Sequence, residues 1–194
     1  MGLVVMIVGL ILFIGAHVLT TRREARARLI KSMGEGPYKI VYSLVSLAGI
    51  VLVVWGFAHY RATGWIQLWS PPRGLKDLNM ALMLPAVILV VAAYIRGRIY
   101  QAVKHPMLAG VKLWAFGHLL ANGDLGGIIL FGSILGWAVY DRISLKYRTD
   151  PGAPPIPVGG VANDVIAVVV GIIAYLALAL AFHPLVMGIP VMGA

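Results

Sequence analysis

LVVMIVGLILFIGAHVLT, from Leu3 to Thr20, is an apolar run that contains no charged residue. A helix needs about 20 mostly apolar residues to cross the hydrocarbon core of a bilayer. The run has no basic leader, and Arg22 and Arg23 follow it at once, so it does not match a signal peptide. We therefore expect it to form a membrane-spanning helix that is retained.

Four later segments have the same apolar character, and one more is ambiguous. The four are Tyr38–Ala58, Asn79–Ile95, Leu125–Tyr140 and Asn163–Phe182. The ambiguous one, Pro106–Ala121, carries Lys112 and His118 and is either a spanning helix or a re-entrant or interfacial one. We predict an all-α fold, a polytopic transmembrane bundle of about six helices, or five if 106–121 is re-entrant. A single domain over residues 1–194 accounts for all of these segments.

The composition agrees with a membrane protein and excludes several other classes. Hydrophobic residues make up 60% of the chain and charged residues 12%, which leaves too little polar surface for a soluble domain of this size. The net charge of +9 comes from Lys and Arg that cluster between apolar segments. There they meet membrane lipids with anionic head groups, so nucleic acid is not an expected partner. The absence of cysteine excludes disulfides, thiolate-bound metals and thiol catalysis.

The basic residues are distributed unevenly between the two sides of the predicted bundle. One side has twelve: Arg22, Arg23, Arg26, Arg28, Lys31, Lys39, Arg96, Arg98, Lys104, Arg142, Lys146 and Arg148. The other side has three: Arg61, Arg73 and Lys76. Because short, positively charged loops stay in the cytoplasm, this asymmetry predicts a multi-pass protein of the bacterial inner membrane with both termini outside the cytoplasm.

Small residues recur at intervals that place them on one side of a helix. They are Gly2, Gly9 and Ala16 in the first span, Ser46, Gly49 and Gly56 in the second, and Gly132 and Gly136 in Leu125–Tyr140. Small residues allow helix backbones to approach closely in lipid, so these positions are predicted helix contacts. Further along, the proline-rich run from Asp150 to Pro157 predicts an extended connection.

The ionisable residues leave histidine as the main candidate for chemistry. The seven acidic residues all fall in loops or at helix ends: Glu24, Glu35, Asp77, Asp124, Asp141, Asp150 and Asp164. A proton pump or an ion-coupled carrier generally needs a carboxylate within the membrane, so this distribution does not favour either class. It gives equally little support to a carboxylate-bound divalent metal.

Two of the five histidines, His17 and His118, lie within apolar helical sequence. An unpaired imidazole in lipid costs several kcal/mol, so each needs a partner or a function. Two neutral imidazoles can bind haem iron axially, with the macrocycle in an apolar cleft between helices. The alternative is a hydrogen bond to a neighbouring helix. His59, His105 and His183 lie near helix ends, where an interfacial imidazole needs no special explanation.

Two runs of the sequence resemble the signature of the NnrU family. One is KHPMLAGVKLWAFGHLLANGDL, from Lys104 to Leu125, and the other is LFIGAH, which ends at His17. An Arg-rich loop, Gly34-Glu35 and Tyr38 follow the second run as they do in the family. The resemblance covers nearly the whole chain.

The resemblance implies an integral membrane protein associated, in denitrifying bacteria, with nitrite and nitric oxide reduction. It also implies kinship with 15-cis-zeta-carotene isomerase, which is similar in its membrane core and uses haem b with two axial histidines. By motif, those metal ligands fall on His17 and His118. Two further histidines of importance fall on His105 and near His59. The implied cofactor is haem b, with His17 and His118 as metal ligands and with His105 and His59 as further cofactor-binding residues.

The function expected from this resemblance is haem-dependent, with nitric oxide or a hydrophobic polyene as ligand and a redox or reductase partner. If the protein is an enzyme, the implied reaction is a redox-controlled cis-trans isomerisation. One alternative is a non-catalytic membrane scaffold or assembly factor. Another is a methyltransferase, because Lys104-His-Pro-Met-x-x-Gly110 also resembles a motif of isoprenylcysteine carboxyl methyltransferases. That family has a later pair of adjacent carboxylates, which is not found after Asp124 here.

Overall fold

A computed structural model describes residues 1–148, 156–188 and 191. The regular elements of these residues are all helices: α1 (Gly2–Thr21), α2 (Arg23–Met33), α3 (Glu35–Ala62), α4 (Arg73–Ala92), α5 (Arg98–Val103), α6 (Pro106–Ala121), α7 (Leu125–Ser144) and α8 (Val161–Ala177), with a π-helical continuation, Leu178–Met187. The predicted all-α fold is confirmed. Most of the proline-rich run predicted to be extended, residues 150–155, lies outside the described residues.

Five helices of the described chain are long and apolar enough to cross a membrane: α1, α3, α4, α7 and α8 with its continuation, Val161–Met187. All five predicted spans fall on them. Helix α6 has 16 residues and therefore a length of about 24 Å, shorter than the roughly 30 Å of a bilayer core. Whether α6 is a sixth span or a re-entrant helix stays a prediction. The chain is a multi-pass membrane protein.

The chain divides into two compact units, residues 1–69 with 124–144 and residues 70–123 with 145–194. We call them unit 1 and unit 2. Unit 1 contains α1, α2, α3 and α7; unit 2 contains α4, α5, α6, α8 and the π-helical continuation. The single domain expected over residues 1–194 stays a prediction.

Glycine contacts hold α1 and α3 together in unit 1. A Cβ atom at Gly9 would lie 2.7 Å from the carbonyl oxygen of Gly49, and one at Gly49 would lie 2.8 Å from the Phe13 nitrogen. Gly2 and Gly56 face the backbone of the opposite helix in the same way. These predicted contacts are confirmed.

The glycines of α7 behave differently from the prediction. A Cβ atom at Gly132 or Gly136 would meet no described atom within 4 Å, so the expected helix contact at this pair is wrong. The 3.6-residue period places both on one helix face but does not determine which face packs. Helix α7 packs mainly against α1 instead, where the Tyr140 and Thr21 hydroxyls lie 3.4 Å apart. Its Phe131 ring also lies 6.4 Å from that of Phe57 in α3.

In unit 2, glycines of two helices pack against α4. A Cβ atom at Gly110 in α6 would lie 2.6 Å from the Ala86 carbonyl oxygen. One at Gly171 in α8 would lie 2.6 Å from the Ile88 side chain. Because both glycines meet the same helix, α4 is the centre of this unit.

A polar cluster joins the turn after α4 to the beginning of α8. Arg96 is only 8% exposed, and its guanidinium donates to the Ile156 carbonyl at 3.2 Å. The Asn163 side chain donates to the Arg96 carbonyl at 2.9 Å. The Asp164 carboxylate accepts the backbone N–H groups of Arg98 and Ile99 and so satisfies the first donors of α5.

The turn between α5 and α6 is strained at a non-glycine residue. Lys104 has φ 64° and ψ −40°, and the His105 N–H donates to the Val103 carbonyl at 2.7 Å, which makes this a γ-turn of the rare, strained form. Pro106 follows as the first residue of α6, where its missing N–H is not needed. The turn therefore places His105 at the N-cap of α6.

We expect Lys104→Gly to stabilise the protein, by about 1 kcal/mol, because glycine adopts a positive φ without steric cost. The measurement is the thermal unfolding midpoint in detergent. Lys104→Ala is the matched control: it removes the same charge but keeps a Cβ atom, so it should give no gain. Equal shifts for the two variants would contradict the strain at this turn.

Candidate functional site

The ring of His17 lies among aromatic side chains of unit 1. Its centroid is 4.2 Å from that of Phe13, 5.6 Å from Tyr42 and 5.1 Å from Trp137, with the tryptophan ring nearly perpendicular. Its Nδ1 atom lies 2.7 Å from the Phe13 carbonyl oxygen, one turn earlier in α1. Because a carbonyl only accepts, Nδ1 carries the proton and Nε2 carries the lone pair.

Two buried polar atoms near His17 have no hydrogen-bond partner among the described residues: Trp137 Nε1 and Tyr38 Oη. Tyr38 lies 6.4 Å from Tyr42, which in turn contacts His17. A buried donor without a partner costs about 1–3 kcal/mol. The arrangement therefore combines one imidazole lone pair with two donors that a polar group of a ligand can satisfy.

His118 of α6 has the same local geometry in unit 2. Its Nδ1 atom lies 2.9 Å from the Trp114 carbonyl oxygen, and the Trp114 ring is 5.2 Å away. The proton is again on Nδ1 and the lone pair on Nε2. The Asn122 side chain donates to the His118 carbonyl at 2.8 Å and so satisfies one of the last carbonyls of α6.

A second histidine of unit 2, His183, lies close to His118, although the sequence indicated no role for it. The two ring centroids are 6.3 Å apart and the ring planes differ by 17°. The Nδ1 atom of His183 lies 2.8 Å from the Leu178 carbonyl oxygen. His183 lies 65 positions after His118 in the chain, beyond both α7 and α8, so no local spacing could have predicted this proximity.

The other two histidines singled out from the sequence lie at helix ends. His59 stacks on Trp55 at 5.8 Å, near the end of α3, and is about 25 Å along that helix from Tyr42, the neighbour of His17. His105 is the N-cap of α6, about 20 Å along the helix from His118. Neither unit therefore brings its two candidate histidines together.

No cluster of three or more His, Cys, Asp or Glu side chains suited to a metal ion occurs in residues 1–148, 156–188 and 191. A haem site needs only two protein ligands. The arrangements suited to that chemistry are the cage of His17 and the pair of His118 and His183.

The run Ala121-Asn-Gly-Asp124 ends in a buried carboxylate that stabilises unit 1. Asp124 is 1% exposed, accepts the Gly127 N–H at 2.8 Å and lies 3.5 Å from the Arg61 guanidinium. Next to Arg61, the Tyr60 hydroxyl accepts the N–H groups of Ile66 and Gly126. Sequence reasoning placed Asp124 in a turn but missed this network, because its members are more than sixty positions apart.

The model of the NnrU family, described as NnrU protein, matches residues 5–191. No curated protein and no solved structure matches the chain.

Proposed function

The chain belongs to the NnrU family, and from that premise we propose that it binds haem b and takes part in nitrite and nitric oxide reduction. His118 would hold the iron, and the resemblance of the histidine motifs implies His17 as a second ligand. We place the protein in the bacterial inner membrane, with both termini outside the cytoplasm.

The observation that carries the haem proposal is the orientation of the His118 imidazole, which His17 shares. His17 and His118 each bond through Nδ1 to a carbonyl of their own helix, which leaves Nε2 as the atom with the lone pair. Ligating histidines generally have their second nitrogen oriented by such a bond.

Each of the two imidazoles lies beside aromatic side chains of its own unit, and such surroundings fit a flat, apolar group. Phe13, Tyr42 and Trp137 surround one imidazole and Trp114 lies beside the other. The unpartnered Trp137 Nε1 supplies a donor. When bound, haem would supply an iron centre that changes its oxidation state, and the iron would take a small ligand such as nitric oxide once one histidine has left it.

The test is the absorption spectrum of the protein purified in detergent from cells supplied with haem, oxidised and then reduced with dithionite. We expect a Soret band that sharpens on reduction, with the resolved visible bands of a low-spin haem. His118→Ala should lose the low-spin spectrum. His59→Ala is the matched control and should keep it, because His59 lies at the end of α3 against Trp55. A protein that stays colourless after reconstitution with hemin would contradict the proposal.

The orientation can be tested with single cysteines, because the chain has none of its own. Ser32 in α2 and Thr63 after α3 are both exposed and lie at opposite ends of the α3 span. A membrane-impermeant maleimide should label Thr63→Cys in intact spheroplasts, and should label Ser32→Cys only after permeabilisation. The reverse pattern would place the N-terminus in the cytoplasm and contradict the proposed orientation.

A further inference from the structure

The separation of His118 and His183 matches that of two imidazoles on opposite sides of one metal. Imidazole nitrogens bind transition metals at about 2 Å, which puts the centroids of two such rings about 6 Å apart. The observed distance is 6.3 Å and the planes differ by only 17°. Direct ring stacking brings aromatic centroids to similar distances, so the separation alone does not distinguish a ligand pair from a packing pair.

The orientation of the two rings adds an independent reason. Each ring has its Nδ1 proton bonded to a carbonyl of its own helix, that of Trp114 for His118 and that of Leu178 for His183. Both rings are therefore the same tautomer, with the lone pair on Nε2. Because both Nε2 atoms are acceptors, they cannot hydrogen-bond to each other, whereas both can bind one cation.

The local helix geometry explains how His183 reaches this position. Residues Leu178–Met187 are π-helical, and Pro184 lies within them. A proline inside an α-helix removes a hydrogen bond and clashes with the carbonyl four residues earlier, so a wider turn relieves the conflict. The same wide turn lets the His183 ring bond to a carbonyl five residues earlier. Single π-helical turns occur frequently at functional sites.

The surroundings of His183 suit an apolar macrocycle. Phe182 is 38% exposed, Leu178 41% and Leu185 82%, so an apolar surface borders the imidazole. The Phe182 ring is nearly perpendicular to that of His183, with centroids 5.9 Å apart. In a membrane this surface meets lipid or a bound hydrophobic group, and a porphyrin face matches its chemistry.

We propose that His183, and not His17, is the second axial ligand of the haem iron, opposite His118. The assignment rests on the proposed function, because it presupposes that haem b is bound. It gives the whole ligand pair to unit 2, to α6 and the π-helical continuation of α8. His17, with its aromatic cage and the donors Trp137 Nε1 and Tyr38 Oη, then lies outside the iron's coordination sphere.

The experiment compares His183→Ala with the matched variant His17→Ala, both purified with haem and both checked for a monodisperse elution profile. The oxidised and reduced absorption spectra and the electron paramagnetic resonance spectrum report the ligand number of the iron. We expect His183→Ala to become high-spin and His17→Ala to stay low-spin. A low-spin spectrum that survives His183→Ala, or a change to high-spin in His17→Ala alone, would overturn the assignment and leave the haem proposal standing.

Rescue with free imidazole separates a ligand from a packing residue and does not depend on enzyme activity. Imidazole at millimolar concentration should restore the low-spin bands of His183→Ala, because it can occupy the space of the deleted ring. His183→Met should also stay low-spin, with a raised midpoint potential, since methionine is an axial ligand that raises the potential of haem. A His183→Ala protein that is high-spin and gains no low-spin bands with imidazole would contradict ligation by His183. A wild-type protein without a Soret band would overturn both proposals.

Discussion

Replacing Gly56 with alanine is expected to lower the thermal midpoint of unfolding by roughly 10 °C, since overpacking at a close backbone contact costs about 3 kcal/mol. The added Cβ atom would overlap the backbone of Met6, and the Gly2 carbonyl oxygen would lie 2.9 Å away. Neither neighbour is the end of a flexible side chain. Helices α1 and α3 must therefore separate, and Gly56→Leu should prevent isolation of a monodisperse protein.

Gly136→Ala is the matched control for this substitution, because it makes the same chemical change in another spanning helix. A Cβ atom there meets no described atom within 4 Å, so only the helix propensity changes, by about 0.5–1 kcal/mol in favour of alanine. In a thermal unfolding assay by circular dichroism in detergent, Gly56→Ala should lower the midpoint and Gly136→Ala should raise it. A loss of stability in both would show that α7 packs through Gly136 after all.

The second large effect is expected at Asp124, where Asp124→Asn should cost about 3 kcal/mol. The amide oxygen can still accept the Gly127 N–H, but Arg61 loses the carboxylate at 3.5 Å, and breaking a buried ion pair leaves an uncompensated charge. Asp124→Ala should cost about 1 kcal/mol more, because the helix cap is lost as well. The measurement is the unfolding free energy from denaturant titration.

A double-mutant cycle with Arg61→Met tests whether the ion pair is the cause. Removing both charges should recover most of the loss that Asp124→Asn produces, since no unpaired charge remains. Additive losses in the double variant would contradict a coupling between Arg61 and Asp124. The Arg61 guanidinium also lies 4.2 Å over the Trp65 ring, so Trp65→Phe is a useful comparison that leaves the pair intact.

The ligand assignment to His183 changes how a haem would relate to the fold. His118 lies near the end of α6, and His183 lies past the regular part of α8. Gly110 packs α6 against α4, and Gly171 packs α8 against the same helix. The distance between the two imidazoles therefore depends on small residues in the helices rather than on loops. Substitutions at these glycines should alter haem affinity without removing a ligand.

Local sequence was sufficient for the elements whose character depends on local composition. An apolar run such as Leu3–Thr20 must become a helix in lipid, because no water is present to satisfy its backbone. The residues of α1 that approach α3 were also predictable. Gly2 and Gly9 are small residues among bulky ones, and in lipid such positions allow another helix backbone to approach closely. Membership of the NnrU family was evident from motifs such as that from Lys104 to Leu125.

Tertiary structure was needed wherever the outcome depends on which helix faces which. Gly132 and Gly136 have the spacing of a helix contact, yet their face meets no described neighbour. The sequence places Asp124 in a turn, but the structure buries its carboxylate next to the Arg61 guanidinium. The sequence indicates an interfacial position for His183, but its ring centroid lies 6.3 Å from that of His118, because the π-helical turn at Pro184 determines its position. Periodicity determines which residues share a face; it carries no information on the partner of that face, which depends on packing between segments distant in the chain.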